Sequence, residues 1–169
     1  MIKMTVKDYG VMTFALDYDA APNSAANFVE LARSGFYDGL IFHRIIKGFM
    51  IQGGWGDLKG KNIDYTIKGE FKANGVDNPL KHKRGVLSMA RTMVNDSASS
   101  QFFVMHKDAP HLDGQYAAFG HMLDGFDVLD KIASVDTDRS DRPFREVVIE
   151  KVEVIDEPVN EVKKIKRVR

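Results

Sequence analysis

The stretch Ile41-Phe42-His43-Arg44-Ile45-Ile46-Lys47-Gly48-Phe49-Met50-Ile51-Gln52-Gly53-Gly54 decides how the chain is read. Two apolar runs, Leu40–Ile46 and Phe49–Ile51, flank Lys47-Gly48 in the pattern of two strands joined by a turn. Arg44 stands inside the first run. An unpaired buried charge is costly, so an arginine in a strand that reads as buried or half-buried needs a carboxylate at a sheet edge or a chemical role. The pleat adds a condition. A two-residue turn at Lys47-Gly48 would put Arg44 on the face of Phe49 and Ile51, with Met50 and Gln52 opposite. For Arg44 and Gln52 to share a site, a bulge or odd-length loop must shift the parity by one, and such an irregularity is expected between Ile46 and Met50.

Working outward, further short apolar runs are separated by glycines: Tyr65–Ile67, Val86–Ala90, Phe102–Met105 and Ala117–Phe119. Lys3–Val6 and Val11–Leu16 around Lys7-Asp8-Tyr9-Gly10 read as an opening hairpin, and Val147, Ile149, Val152 and Val154 as a closing strand. Strands at both termini suit a sheet that closes on itself. One helix is expected after Pro22, with Asn23 or Ser24 as cap, Ala25, Phe28, Val29 and Ala32 on one face and Gly35 at its end. A second is expected over about Asp124 to Ser134. Many short strands with two helices imply a mainly β barrel or sandwich, and these residues alone leave the two undecided. Residues 1–157 read as one domain and residues 158–169 as a basic tail, with five positive charges against one negative from Val159 onward. A solvated tail is expected there, with a docked helix or an anionic contact as alternatives.

Composition narrows the function. The chain has 169 residues, with 24 Lys plus Arg balanced by 24 Asp plus Glu, so no strong field gathers nucleic acid or anionic lipid. Without cysteine there is no thiol nucleophile, disulfide or Cys-ligated metal. The first twenty residues lack the apolar core of a signal peptide, and no apolar run approaches the ~20 residues that span a bilayer. A cytoplasmic protein without a membrane partner is expected. His43, His82, His106, His111 and His121 show no metal-ligand spacing, and Gly53-Gly54-Trp55-Gly56 fits no phosphate-binding loop. Ser97, Ser99 and Ser100 form no nucleophile elbow. Gln101, just ahead of Phe102-Phe103-Val104-Met105, repeats the motif of a polar head beside an aromatic floor, or marks a strand boundary.

The block Phe42-His43-Arg44-Ile45-Ile46-x-Gly48-Phe49-Met50-x-Gln52-Gly53-Gly54 closely resembles the signature of the cyclophilin family of peptidyl-prolyl cis–trans isomerases, in particular its single-domain, bacterial-like members. Gly85-Val86-Leu87-Ser88-Met89-Ala90, Ser100-Gln101-Phe102-Phe103, Leu112-Asp113-Gly114 and Phe119-Gly120 follow in order, so the likeness covers about Val11 to Ile155. It implies an eight-stranded antiparallel closed β-barrel capped by two α-helices, with a groove on its outer face. It also implies catalysis of X–Pro rotation without metal or cofactor, acting on proline-containing peptides and unfolded proteins. By the same resemblance Arg44, Phe49 and Gln52 are catalytic. Met50, Phe103 and Leu112 join Phe49 in an apolar proline pocket, and the Ala90-Arg91 backbone pairs with the extended peptide. Gln101 and Tyr116 line the rim, and His43 supports.

The residue types suit that chemistry. Rotation about a peptide bond costs roughly 18–20 kcal/mol because the nitrogen lone pair is delocalised. A catalyst breaks no bond and must only bind the twisted amide better than either planar form. A guanidinium supplies rigid, always-charged donors for the nitrogen that has regained its lone pair. A proline-motif binding module with incidental catalysis is the alternative, although binding alone would not require the donor. A compact barrel makes a monomer the expectation. Departures from the family pattern are Lys47 where many members have Pro, Arg91 for a common Asn, and a divergent Thr92–Ser99. Tyr116 stands where many carry His, and His111 where cyclosporin-sensitive members carry Trp, which implies weak cyclosporin binding.

Overall fold

The computed structural model describes residues 1–167. Its first hairpin pairs β1 (Ile2–Val6) with β2 (Gly10–Leu16). Ile2, Met4 and Val6 alternate with Lys3 and Thr5, and this two-residue period buries the apolar set inside while the polar set faces out. The later strands are β3 (Phe42–Ile46), β4 (Met50–Gly53), β5 (Tyr65–Thr66), β6 (Val86–Met89), β7 (Phe102–Met105), β8 (Ala118–Asp124), β9 (Ile149–Val154) and β10 (Ile165–Lys166). Eight of them form one antiparallel sheet in the order β3-β4-β7-β6-β8-β2-β1-β9.

The sheet curls until its ends meet. The approach to β3 touches the approach to β9 through the Ile41–Val148 bridge and the Phe42 N–H to Val147 C=O bond of 2.9 Å. Closure is therefore partial, a narrow seam where the sequence led to an expectation of a fully closed barrel. Bulges supply the curvature. Glu150 is the extra residue opposite the Thr5/Val6 step, which explains why the inward residues of β9, Ile149 and Val152, are three apart.

Helix α1 (Pro22–Arg33) buries Ala25, Phe28, Val29 and Ala32, and α2 (Phe126–Ala133) buries Leu129, Ile132 and Ala133. Phe28 reaches the barrel interior, where its ring lies 4.9–5.5 Å from Tyr37, Phe102 and Phe119. The α1 C-terminus is closed by Gly35 at φ +77°, whose N–H reaches the Ala32 carbonyl while the Phe36 N–H reaches that of Leu31. Its N-terminus differs from expectation. Neither Asn23 nor Ser24 caps it; the carboxylate of buried Glu70 accepts both their backbone N–H groups, at 3.2 and 2.6 Å. That anion also suits the positive end of the helix dipole.

The tail keeps most of its side chains in solvent, but its backbone is docked on the body of the fold. β10 pairs with β5, Val162 is buried, and Asn23 exchanges two hydrogen bonds with the Lys163 backbone at 3.0 and 2.8 Å. The edge of β5 offers unpaired backbone groups, and Ile165-Lys166 of the tail pairs with it. Lys164 adds an ion pair to Glu30 at 2.8 Å.

Candidate active site

The register places the site. Arg44 lies directly opposite Gln52, Gln52 opposite Phe103 and Phe103 opposite Ser88, a single row across β3, β4, β7 and β6. Two irregularities produce it. The β3–β4 loop has three residues, Lys47, Gly48 and Phe49, so the parity shift expected between Ile46 and Met50 is present as an odd-length loop. Gly48 takes φ +80° there, a conformation open to glycine at little cost. Upstream, His43 is an extra residue between Phe42 and Arg44, so Phe42 and Ile45 both point inward while Arg44 points out.

Arg44 is exposed, not buried or half-buried as its apolar neighbours suggested, because this row is on the outer face. Among the described residues it has no ion-pair partner. Its Nη1 donates to Gln52 Oε1 at 3.3 Å, and Gln52 Nε2 donates to Gln101 Oε1 at 3.0 Å. The chain of bonds fixes the Gln52 amide and leaves most of the five guanidinium donors directed elsewhere.

β6 and β7 are buried on both faces. Leu87, Met89, Phe102 and Val104 enter the barrel core, whereas Val86, Phe103 and Met105 join Met50, Ala90 and Leu112 in a second apolar cluster outside it. That cluster floors a cavity of about 400 Å³. Arg44, Phe49, Met50, Gln52, Ala90, Arg91, Phe103, His111, Leu112 and Tyr116 line it, so ten of the twelve residues singled out from the sequence meet there. Phe49 stacks on His111 at 5.9 Å, and Tyr116 meets Phe103 edge-on at 5.7 Å. Gln101 lies next to this cavity through Gln52 and lines a neighbouring one. His43 is not brought in. Its ring lies 5.3 Å from Trp55, and burial, with Arg142 and Arg44 nearby, lowers its pKa to about 4. It is a neutral side chain behind Arg44.

Two histidine networks that the sequence did not reveal hold this surface. Beneath the floor, His82 donates from Nδ1 to Asp113 at 3.0 Å, which leaves Nε2 to accept the Ser88 hydroxyl at 2.9 Å. Burial lowers the His82 pKa, with partial opposition from Asp113, so a neutral imidazole stacks 6.0 Å from Phe103. Burial pushes the Asp113 carboxyl up, but hydrogen bonds from the His82 backbone and ring outweigh it and leave it below the usual range. At the turn, His106 Nδ1 accepts the Gly48 N–H at 2.8 Å, so Nε2 donates to Asp130 at 2.9 Å. Hydrogen bonds from Arg84, first, and from His106 hold the Asp130 carboxyl low. The one signal for His106 is its position directly after β7, within reach of the neighbouring β3–β4 turn. His82 has no such signal.

No carboxylate lines the main cavity, and among the described residues no three His, Cys, Asp or Glu side chains gather as metal ligands. The arrangement is an apolar pocket with a fixed amide and an unpaired guanidinium at its edge. It can hold a cyclic apolar group and direct cationic N–H donors at an adjoining amide.

Sequence and structure comparisons agree with this geometry. The profile of the family described as cyclophilin type peptidyl-prolyl cis-trans isomerase/CLD matches residues 1–154. Peptidyl-prolyl cis-trans isomerase A of Dickeya dadantii is 43% identical over 157 residues, covering 86% of this chain and 80% of its own. Peptidyl-prolyl cis-trans isomerase CYP18-1 of Arabidopsis thaliana is 45% identical, covering 83% and 88%. Peptidyl-prolyl cis-trans isomerase-like 2 of Rhizopus delemar is 42% identical, and there the match covers 92% of this chain but 29% of the relative. Among solved structures, a cyclophilin type isomerase of Cryptosporidium parvum, determined in the presence of the dipeptide Ala-Pro, superposes with a TM-score of 0.81. It is 32% identical, covering 92% of this chain and 99% of that one.

Proposed function

Because the chain belongs to the cyclophilin-type peptidyl-prolyl cis–trans isomerases, we infer that it accelerates X–Pro rotation in unfolded or flexible protein segments, with the Arg44 cavity as its active site. The observation that carries this is the row Arg44–Gln52–Phe103, which sets a cation without an ion-pair partner beside an apolar pocket. Phe49, Met50, Phe103 and Leu112 hold the proline ring, and Gln52 engages the flanking carbonyl. Arg44 donates to the prolyl nitrogen as the amide twists and its lone pair localises. The planar amide offers no such acceptor, so the bond forms only on the way over the barrier.

Magnitudes limit what Arg44 does alone. An acceleration of ~10⁵ requires about 7 kcal/mol of differential stabilisation. One charge-assisted hydrogen bond supplies ~1.5–3 kcal/mol. The rest must come from immobilising the proline ring and gripping the chain on both sides, which a cavity of about 400 Å³ with an apolar floor and a polar rim is suited to do.

A protease-coupled assay on an Ala-Ala-Pro-Phe peptide tests the reading, with Arg44→Ala as control. Fast exchange that drops on the substitution is expected; equal, slow exchange in both proteins would leave only a binding module. Weak cyclosporin binding is proposed from the same surface. His111 offers less apolar area than an indole and is exposed, so His111→Trp should tighten cyclosporin about tenfold, the scale of one added buried aromatic contact.

A further inference from the structure

A second cavity of about 150 Å³ opens beside the first; it shares Gln52, Ala90 and Arg91 with it and adds Ser99, Gln101 and Arg167. Arg167 lies beyond the family match, which ends at residue 154. The docked tail delivers it. Pairing of Ile165 with Thr66 and Lys166 with Tyr65, then the Arg167 N–H to Asp64 C=O bond of 3.0 Å, set the guanidinium against the cavity wall. Lys164 reinforces the dock by sitting 4.7 Å over the Tyr65 ring.

The lining is cationic and polar. Arg91 and Arg167 are its charged residues, and no carboxylate faces it among the described residues. Arg91 is already engaged, between the rings of Phe71 at 4.8 Å and Tyr116 at 4.6 Å. Its Nε and Nη2 donate to the Gln115 carbonyl at 3.1 and 2.6 Å, and Nη1 to that of Thr92 at 2.9 Å. Arg167 donates one side-chain bond among the described residues, from Nη2 to Ser99 Oγ at 3.2 Å. Its remaining donors form the planar fork that matches a carboxylate.

Resting on the isomerase reading of the neighbouring pocket, we propose that the C-terminal segment is part of the substrate site. Arg167 selects polypeptides that carry an Asp or Glu side chain close to the target proline. A residue of extended chain spans about 3.3–3.6 Å, so the acidic side chain falls within about three residues of the proline.

The experiment titrates fluorescent peptides carrying Ala, Glu or Lys at each of the three positions on either side of one proline. It uses the full chain, Arg167→Ala and Arg167→Glu. At one position the full chain should bind the Glu peptide about fivefold more tightly than the Lys peptide, the upper range for an exposed ion pair. The ratio should fall towards one in Arg167→Ala and invert in Arg167→Glu, and about 0.5 M salt should flatten all three. A Glu-to-Lys ratio that is the same in all three proteins at every position, or no binding of any peptide, overturns the proposal. Affinity is read without turnover, so a chain that binds selectively but fails to accelerate the Ala-Ala-Pro-Phe peptide would sink the isomerase reading alone.

Discussion

The molecule contains the same turn twice. β1–β2 and β3–β4 are both joined by three residues, Lys7-Asp8-Tyr9 and Lys47-Gly48-Phe49. Each has its middle residue at positive φ, Asp8 at 70° and Gly48 at 80°. Each is closed by the same backbone bond, Tyr9 N–H to Val6 C=O at 3.0 Å and Phe49 N–H to Ile46 C=O at 2.9 Å. The difference is on the outer face and at the edge. β1 is paired on both sides, keeps strict alternation over most of its length, and turns Lys3 and Thr5 to solvent. β3 ends the sheet order, where a bulge is tolerated, and turns Arg44 toward Gln52. Its turn is also anchored by His106, whose N–H reaches the Phe49 carbonyl at 2.9 Å. One local architecture thus serves as plain scaffold at one place and carries the proposed active surface at the other, and the outer side chains decide which.

The comparison can be broken first from the inside. Phe42→Ala empties a fully buried position of β3 and should cost about 3–5 kcal/mol of stability, a large share of a small domain's total. Phe49→Ala, on the outer cluster and half-buried, should move Tm little. It should instead lower kcat/KM about tenfold or more by removing ~1.5–3 kcal/mol of apolar contact with proline. Chemical denaturation and the coupled assay read the two, and matching effects on stability would contradict the division into two faces.

Severing the row comes next. Gln52→Ala removes the link between Arg44 and Gln101 and should reduce kcat/KM about tenfold, the upper range of a net hydrogen bond. Lys3→Ala, on the outer face of the first hairpin, should leave the assay unchanged. The turns themselves give a smaller contrast. Gly48→Ala places a Cβ at φ +80° and should cost about 1–2 kcal/mol in urea unfolding. Asp8→Gly should fall within about 0.5 kcal/mol of wild type, because aspartate already tolerates that conformation locally.

The smallest effect is a pH slope found only in the second hairpin. His43 in the bulge has its pKa lowered to about 4 by burial and by Arg142 and Arg44. The unfolded imidazole titrates near 6.5, so between these values the unfolded chain binds the extra proton. Stability should therefore decline as pH falls from about 6.5 towards 4, with no contribution above that window. His43→Gln should flatten this slope in Tm-against-pH curves; an unchanged slope would assign it elsewhere.

Much of this was legible in the sequence because it is local. The Phe42–Gly54 block carried the hairpin, and the parity argument on Arg44 and Gln52 required the odd-length loop that Lys47, Gly48 and Phe49 form. The continuous apolar runs of β6 and β7 hid their second role. A strand buried on both faces reads the same whether its outer face meets a helix or floors a cavity. Glu70 capping α1, His82 under Phe103 and His106 at the Gly48 turn depend on partners 21 to 58 residues away, beyond the reach of any spacing rule. Arg44 was read as shielded because its neighbours are apolar, when the bulge at His43 turns it outward. The charge that dominates the tail's composition matches its exposed side chains, whereas its docking depends on the open edge of β5, elsewhere in the chain.

The central claim is that Arg44 stabilises the twisted amide and not the bound ground state. Exchange spectroscopy by NMR on a saturating Ala-Ala-Pro-Phe peptide measures both quantities at once, the affinity and the on-enzyme cis–trans rate. For Arg44→Ala the account predicts an on-enzyme rate lower by about 10- to 150-fold, equivalent to ~1.5–3 kcal/mol, with peptide affinity within about threefold of wild type. An affinity that falls in parallel with the rate, or a rate that does not fall, would contradict it.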